Sequence, residues 1–131
     1  MSFLSKIVED REFVFRGIVD KPEGIFDRHG KLATGCLKQS TGVSVDRDGN
    51  RTDKEVIDFM VANRPAANRK FVKFLKMNVG NIRSHEWRVD AAPLPTNEFH
   101  AEMDQVVPSK HLNQENARAI IDSGKIIDAG V

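Results

Sequence analysis

Hydrophobic and polar positions alternate with a period of two along some stretches of this chain and recur at helical spacing along others. Residues 12–19 (EFVFRGIV) are rich in aromatic and β-branched residues and predict a strand. Phe13, Phe15 and Gly17 share one side of it, and Val14, Arg16 and Ile18 the other. A strand apolar on both sides belongs in the middle of a sheet. Residues 42–47 predict a second, short strand, with Val43 and Val45 set against Ser44 and Asp46 before a turn at Asp48-Gly49-Asn50. Residues 69–78 fit both periods. Their Phe and Val content, without good caps, decides for a strand, with Arg69, Lys70, Lys73 and Lys76 as a solvated basic edge. A short extended piece at 86–89 holds Trp87. Residues 98–105 alternate Phe99, Ala101 and Met103 against Glu98, His100, Glu102 and Asp104, a strand with one wet face.

The helical spacings complete the outline. Phe3, Leu4, Ile7 and Val8, with Ser2 as a cap, predict a short helix over 2–9. Thr52 and Glu55 form a capping box ahead of a stripe of Val56, Ile57, Met60 and Val61, and Asn63 and Pro65 end that helix. A last helix over 113–123 is capped by Asn113, buries Ala117, Ile120 and Ile121, and stops at Gly124. One helical turn is expected at 80–84. Residues 32–38 form another, or an irregular approach to the next strand, with Cys36 as a small core filler. Residues 20–31, with an exposed His29, and 91–96 (AAPLPT) are loops. The expected fold is α+β: a single small domain over 1–131, with a loosely ordered tail at 125–131. Its sheet is mixed, mostly antiparallel, and flanked by two or three helices.

Composition narrows the classes. The 131 residues are 40% hydrophobic and 30% charged, which suits one globular core. Twenty basic against nineteen acidic residues leave a formal net charge of +1, so no bulk field points to DNA, a membrane or an acidic partner. A single cysteine builds neither an intrachain disulfide nor a multi-cysteine zinc site, and the expected compartment is a reducing cytoplasm. The first residues do not read as a signal peptide, and no apolar run approaches the roughly 18 residues of a membrane span.

Chemistry concentrates around residues 41–50 (TGVSVDRDGN), where polar side chains crowd a glycine turn. A calcium loop is excluded there, because the glycine is misplaced and the terminal glutamate is missing. The candidate residues are Arg16, Ser44, Asp46, Arg47, Asn97, His100 and Glu102. Arg16, between two apolar neighbours, is either a structural ion-pair partner or an anion-binding guanidinium. His100 and Glu102 lie on one side of a strand, about 7 Å apart, a spacing that suits an imidazole oriented by a carboxylate. A zinc deaminase needs a P-C-x-x-C that the chain lacks, and zinc held by His85, His100 or His111 with Glu102 has no helical spacing behind it. A Ser44, His100, Asp46 triad is chemically permissible, but no nucleophile elbow surrounds Ser44.

Phe15-Arg16, Ser44-Val45-Asp46-Arg47 and Asn97-Glu98-Phe99-His100-Ala101 follow one another in an order that resembles a family of small uncharacterised bacterial proteins. Glu98 stands where that pattern often has proline. The resemblance implies no established activity. It implies that Arg16, Asp46, Arg47, Asn97 and His100 meet in space. Such a cluster suits a phosphate-bearing ligand, a nucleotide or RNA. Arg16, Ser44, Arg47 and Asn97 would bind, and His100, Asp46 and Glu102 would serve as catalytic groups, with no cofactor. The alternative is a non-enzymatic interaction module with a protein partner, of a toxin–antitoxin or phage-defence type, in which the same residues form a structural ion-pair network. A further alternative is ADP-ribosyl transfer, with Arg16 and Ser44 around the pocket and Glu102 as the catalytic carboxylate.

Overall fold

The computed structural model describes residues 4–20, 22, 24–37, 42–107 and 112–128. Among these residues six strands form one sheet: β1 (Phe13–Val19), β2 (Val43–Arg47), β3 (Phe71–Asn78), β4 (Trp87–Ala91), β5 (His100–Gln105) and β6 (Lys125–Asp128). Their order is β4-β5-β2-β1-β3-β6, and every pairing is antiparallel. Three helices among the described residues flank the sheet: α1 (Asp53–Asn63), α2 (Val79–Ser84) and α3 (Gln114–Asp122). This is a small single-domain α+β arrangement. No helix among the described residues is long and apolar enough to cross a membrane.

The two-sided apolar pattern of β1 explains its central place. On one face Phe15 packs with Phe74 of β3 and with Val56, Ile57 and Met60 of α1. On the other, Val14 and Ile18 join Leu75, Met77, Val45 and Met103 beneath Ile82 of α2 and Ile120 and Ile121 of α3. Residues one apart along the strand thus build two separate cores. A 3-10 turn at Thr34–Leu37 covers part of the second core through Leu37.

Helix α1 starts as its capping box dictates. Thr52 Oγ1 accepts from the Glu55 amide at 3.2 Å, and the Thr52 amide donates back to Glu55 Oε1 at 3.0 Å. Val61 does not join the buried stripe. It is exposed, because the helix presents Val56, Ile57 and Met60 to the sheet and turns Val61 away. Asn78 and Asn113 cap α2 and α3 in the same manner, accepting from the amides of Asn81 and Asn116.

Three expectations are corrected. Residues 4–9 are not helical; Val8 is buried in the core while Ile7 is exposed, and the backbone around Ser5 is held by the side chain of Arg47. The proposed cap Ser2, and Phe3, lie outside the described residues. The tail is not loose at 125–128, which form β6 on the outer edge of β3; residues 129–131 lie outside the described residues. The basic stretch on β3 is therefore not an edge. β3 sits between β1 and β6, where Lys73 pairs with Asp128 and Lys76 with Asp53.

Candidate functional site

β1 pairs with β3 along its whole length but with β2 at only two positions, Val14 opposite Arg47 and Phe15 opposite Asp46. Two residues further that register would set Gly17 against Ser44. The strands have parted by then, and a cleft of about 450 Å³ opens between them. Its walls come from Arg16, Gly17, Ile18 and Val19 of β1, Ser44 and Asp46 of β2, and Met60 of α1. Arg64, the C-terminal cap of α1, and Phe71 close one side, while Ile25, Ala33, Gly35 and Cys36 close the other. Gly17 leaves room for Phe71 here, since a Cβ on it would stand 2.3 Å from the Phe71 ring and force the ring to shift.

Arg16 spans the gap. Its Nη1 donates to the Ser44 carbonyl at 3.0 Å, and its Nε donates to the Cys36 carbonyl at 3.2 Å. The guanidinium therefore ties β1 to β2 and to the 3-10 turn through neutral acceptors. Among the described residues no carboxylate pairs with it and its Nη2 makes no hydrogen bond. Burial pulls its pKa below the usual guanidinium value; Cys36 opposes this and Arg64 adds to it. Arg64 stacks over the Phe71 ring at 4.5 Å and donates to the Arg69 carbonyl. Two guanidiniums that repel each other thus line one cleft.

Asp46 is 6% exposed and is Cα-paired with Phe15 on one side and His100 on the other. Asn97 Nδ2 donates to both of its oxygens, at 3.2 and 3.1 Å. Burial pushes the Asp46 carboxyl above its usual value, against the hydrogen bond from Asn97 and the charges of Arg51 and His100. Arg51 itself stacks on Phe99 at 3.5 Å and donates to the Arg47 and Asp48 carbonyls. His100 Nδ1 lies 2.8 Å from the Ala92 carbonyl, so that nitrogen carries the proton.

The anticipated cluster is only partly assembled. Arg16, Ser44 and Asp46 line the cleft, and Asn97 stands behind Asp46. His100 adjoins Asp46 in the sheet but is not part of the cleft wall, and neither is Glu102, which is exposed beside Ser44. Arg47 is elsewhere. It shares the face of Val43 and Val45, is 2% exposed, and binds Glu12 through Nε at 2.8 Å and Nη2 at 3.0 Å, with Nη1 on the Ser5 carbonyl at 2.6 Å. Burial raises the Glu12 carboxyl, but the bonds from Arg47 and the Glu9 amide outweigh it and hold it below its usual value. No group of three or more His, Cys, Asp or Glu among the described residues could hold a metal; His111 lies outside them. Arg64 and Phe71 escaped the sequence reading, because neither lies near the other candidates in the chain and only the fold brings them to β1.

Comparison with known proteins gives no match: no family model, no curated protein and no solved structure matches this chain.

Proposed function

We propose that this protein binds a small phosphate-bearing ligand in the cleft where β1 and β2 part. The observation that carries the reading is Arg16: a half-buried guanidinium, bonded among the described residues only to carbonyls, that shares a walled cleft with a second guanidinium. A buried cation without a counter-charge is costly, and a phosphate dianion offsets two of them at once. The planar fork of arginine suits phosphate oxygens better than a point charge does. The volume of about 450 Å³ is that of a small-molecule site, and the near-neutral chain has no bulk basic field for a polymer. A mononucleotide or sugar phosphate therefore fits this reading better than RNA. Because His100 and Glu102 stand off the cleft wall, the reading is one of binding, not of catalysis by these two residues. A cytoplasmic setting, where such phosphates abound, belongs to the same proposal.

The purely structural alternative is favoured by one observation, the closed pair of Arg47 and Glu12. It accounts for that pair and leaves Arg16 without a counter-ion among the described residues.

Titration calorimetry with inorganic phosphate and adenosine monophosphate tests the proposal. Wild type is expected to bind both. Arg64→Ala, which removes a partly exposed side chain, is expected to weaken binding about 10- to 100-fold, the worth of one charge-assisted hydrogen bond. Absence of binding by wild type to either phosphate would overturn the reading.

A further inference from the structure

We infer that the cleft selects, among phosphate esters, those bearing a free hydroxyl, and that Asp46 is the group that accepts it; this rests on the phosphate reading above. Asp46 lines the same cleft as Arg16 and Arg64. An ionised carboxylate offers about four acceptor positions. The described residues fill few of them, because among these a single donor, Asn97 Nδ2, is shared between both oxygens. Its direction is fixed. Asn97 Oδ1 accepts from the Phe99 amide at 2.9 Å, so the amide nitrogen must face Asp46. One donor bridging both oxygens suits the ionised form of the carboxyl, which can only accept.

The basic side chains beside it bond backbone carbonyls. The Arg51 hydrogen bonds go to the Arg47 and Asp48 carbonyls, and His100 Nδ1 donates to Ala92. A buried acceptor short of donors in a ligand cleft is a recognition element for a donor on the ligand. The donor is a hydroxyl and not an ammonium. Arg51 lies close enough to Asp46 to offset part of its charge, so a neutral donor suits it better than a further cation. Phosphate at the arginines and hydroxyl at Asp46 together describe a polyol phosphate, the chemistry shared by sugar phosphates and by the ribose of a nucleotide.

Calorimetry with glycerol 3-phosphate and propyl phosphate, a pair differing in hydroxyls alone, tests this. Wild type is expected to prefer glycerol 3-phosphate by at least about tenfold. Asp46→Asn is expected to abolish that preference while binding propyl phosphate as tightly as wild type, or more so, since a nearby negative charge is gone. Equal affinity of wild type for the two esters would overturn the hydroxyl assignment and leave the phosphate reading standing. Binding of neither would overturn both. Ethanolamine phosphate bound more tightly than glycerol 3-phosphate would show that Asp46 reads an ammonium, again overturning the assignment. The wild-type comparison needs no variant, so it decides even where Asp46→Asn lowers stability.

Discussion

Arg16 and Arg47 lie on neighbouring strands near opposite ends of the short β1–β2 pairing, yet they are treated in opposite ways. Arg47 is closed. Its fork is matched by both oxygens of Glu12, its remaining arm is taken by Ser5, and almost none of it meets solvent. Arg16 is open. It bonds the Ser44 carbonyl across a split in the sheet and the Cys36 carbonyl of the 3-10 turn, and its third nitrogen has no protein partner among the described residues. Charge and residue type are the same; what differs is whether the strands stay paired. Where the ladder holds, an arginine is absorbed into the fold. Where it parts, the guanidinium is left with capacity that a ligand can use.

The comparison makes graded predictions. The largest effect belongs to Arg47→Ala, which strands Glu12 beside the core and is expected to cost about 3–5 kcal/mol in urea unfolding. A loss no greater than that of Arg16→Ala would erase the distinction between the two ends. Gly17→Ala forces a methyl group into the Phe71 ring and is expected to cost about 1–3 kcal/mol, with phosphate affinity falling as the ring shifts into the cleft. Unchanged stability and affinity would mean that the ring is not part of the wall. Arg16→Ala removes hydrogen bonds to carbonyls alone and is expected to cost about 1–2 kcal/mol of stability, while abolishing measurable phosphate binding.

The smallest effects concern pH, and there the two ends carry opposite signs. Glu12 has a folded pKa below its usual 4.5, so its stabilising contribution is complete above that value and is lost as pH falls through the lower one. Asp46 has a folded pKa above its usual 3.8, so its ionised form works against the fold at neutral pH, and that penalty lifts as pH falls through the raised value. Glu12→Gln should therefore be less stable than wild type at neutral pH, with a deficit that shrinks in acid. Asp46→Asn should be the more stable, with a gain that shrinks in acid. Thermal unfolding across the acid range checks both, and curves of the same sign would contradict the assignment.

Much of the frame was legible because local pattern and tertiary demand agree. β1 read as central from apolar residues on both sides, and α1 announced its start through Thr52 and Glu55. Period two also separates Arg47 from Ser44 and Asp46. Sharing a face with Val43 and Val45, it was marked for the core, and grouping it with the site ignored that signal. Other features lie beyond local pattern. Leu4, Ile7 and Val8 have helical spacing, yet the segment serves Arg47 and the core instead. The short KIID run becomes β6 only because β3 offers an edge with complementary charge. The cleft itself depends on where two strands cease to pair, and no residue of β1 or β2 states that alone. Arg64 and Phe71 reach it from a helix end and a third strand.

The central claim is that Arg16 is the open arginine and Arg47 the closed one. Side-chain nitrogen NMR during a titration with inorganic phosphate reads both in a single sample. The Nε–H signals of Arg16 and Arg64 are expected to move and saturate together while that of Arg47 stays in place. Signals of Arg16 and Arg64 that do not move, or that move no further than that of Arg47, would contradict the account.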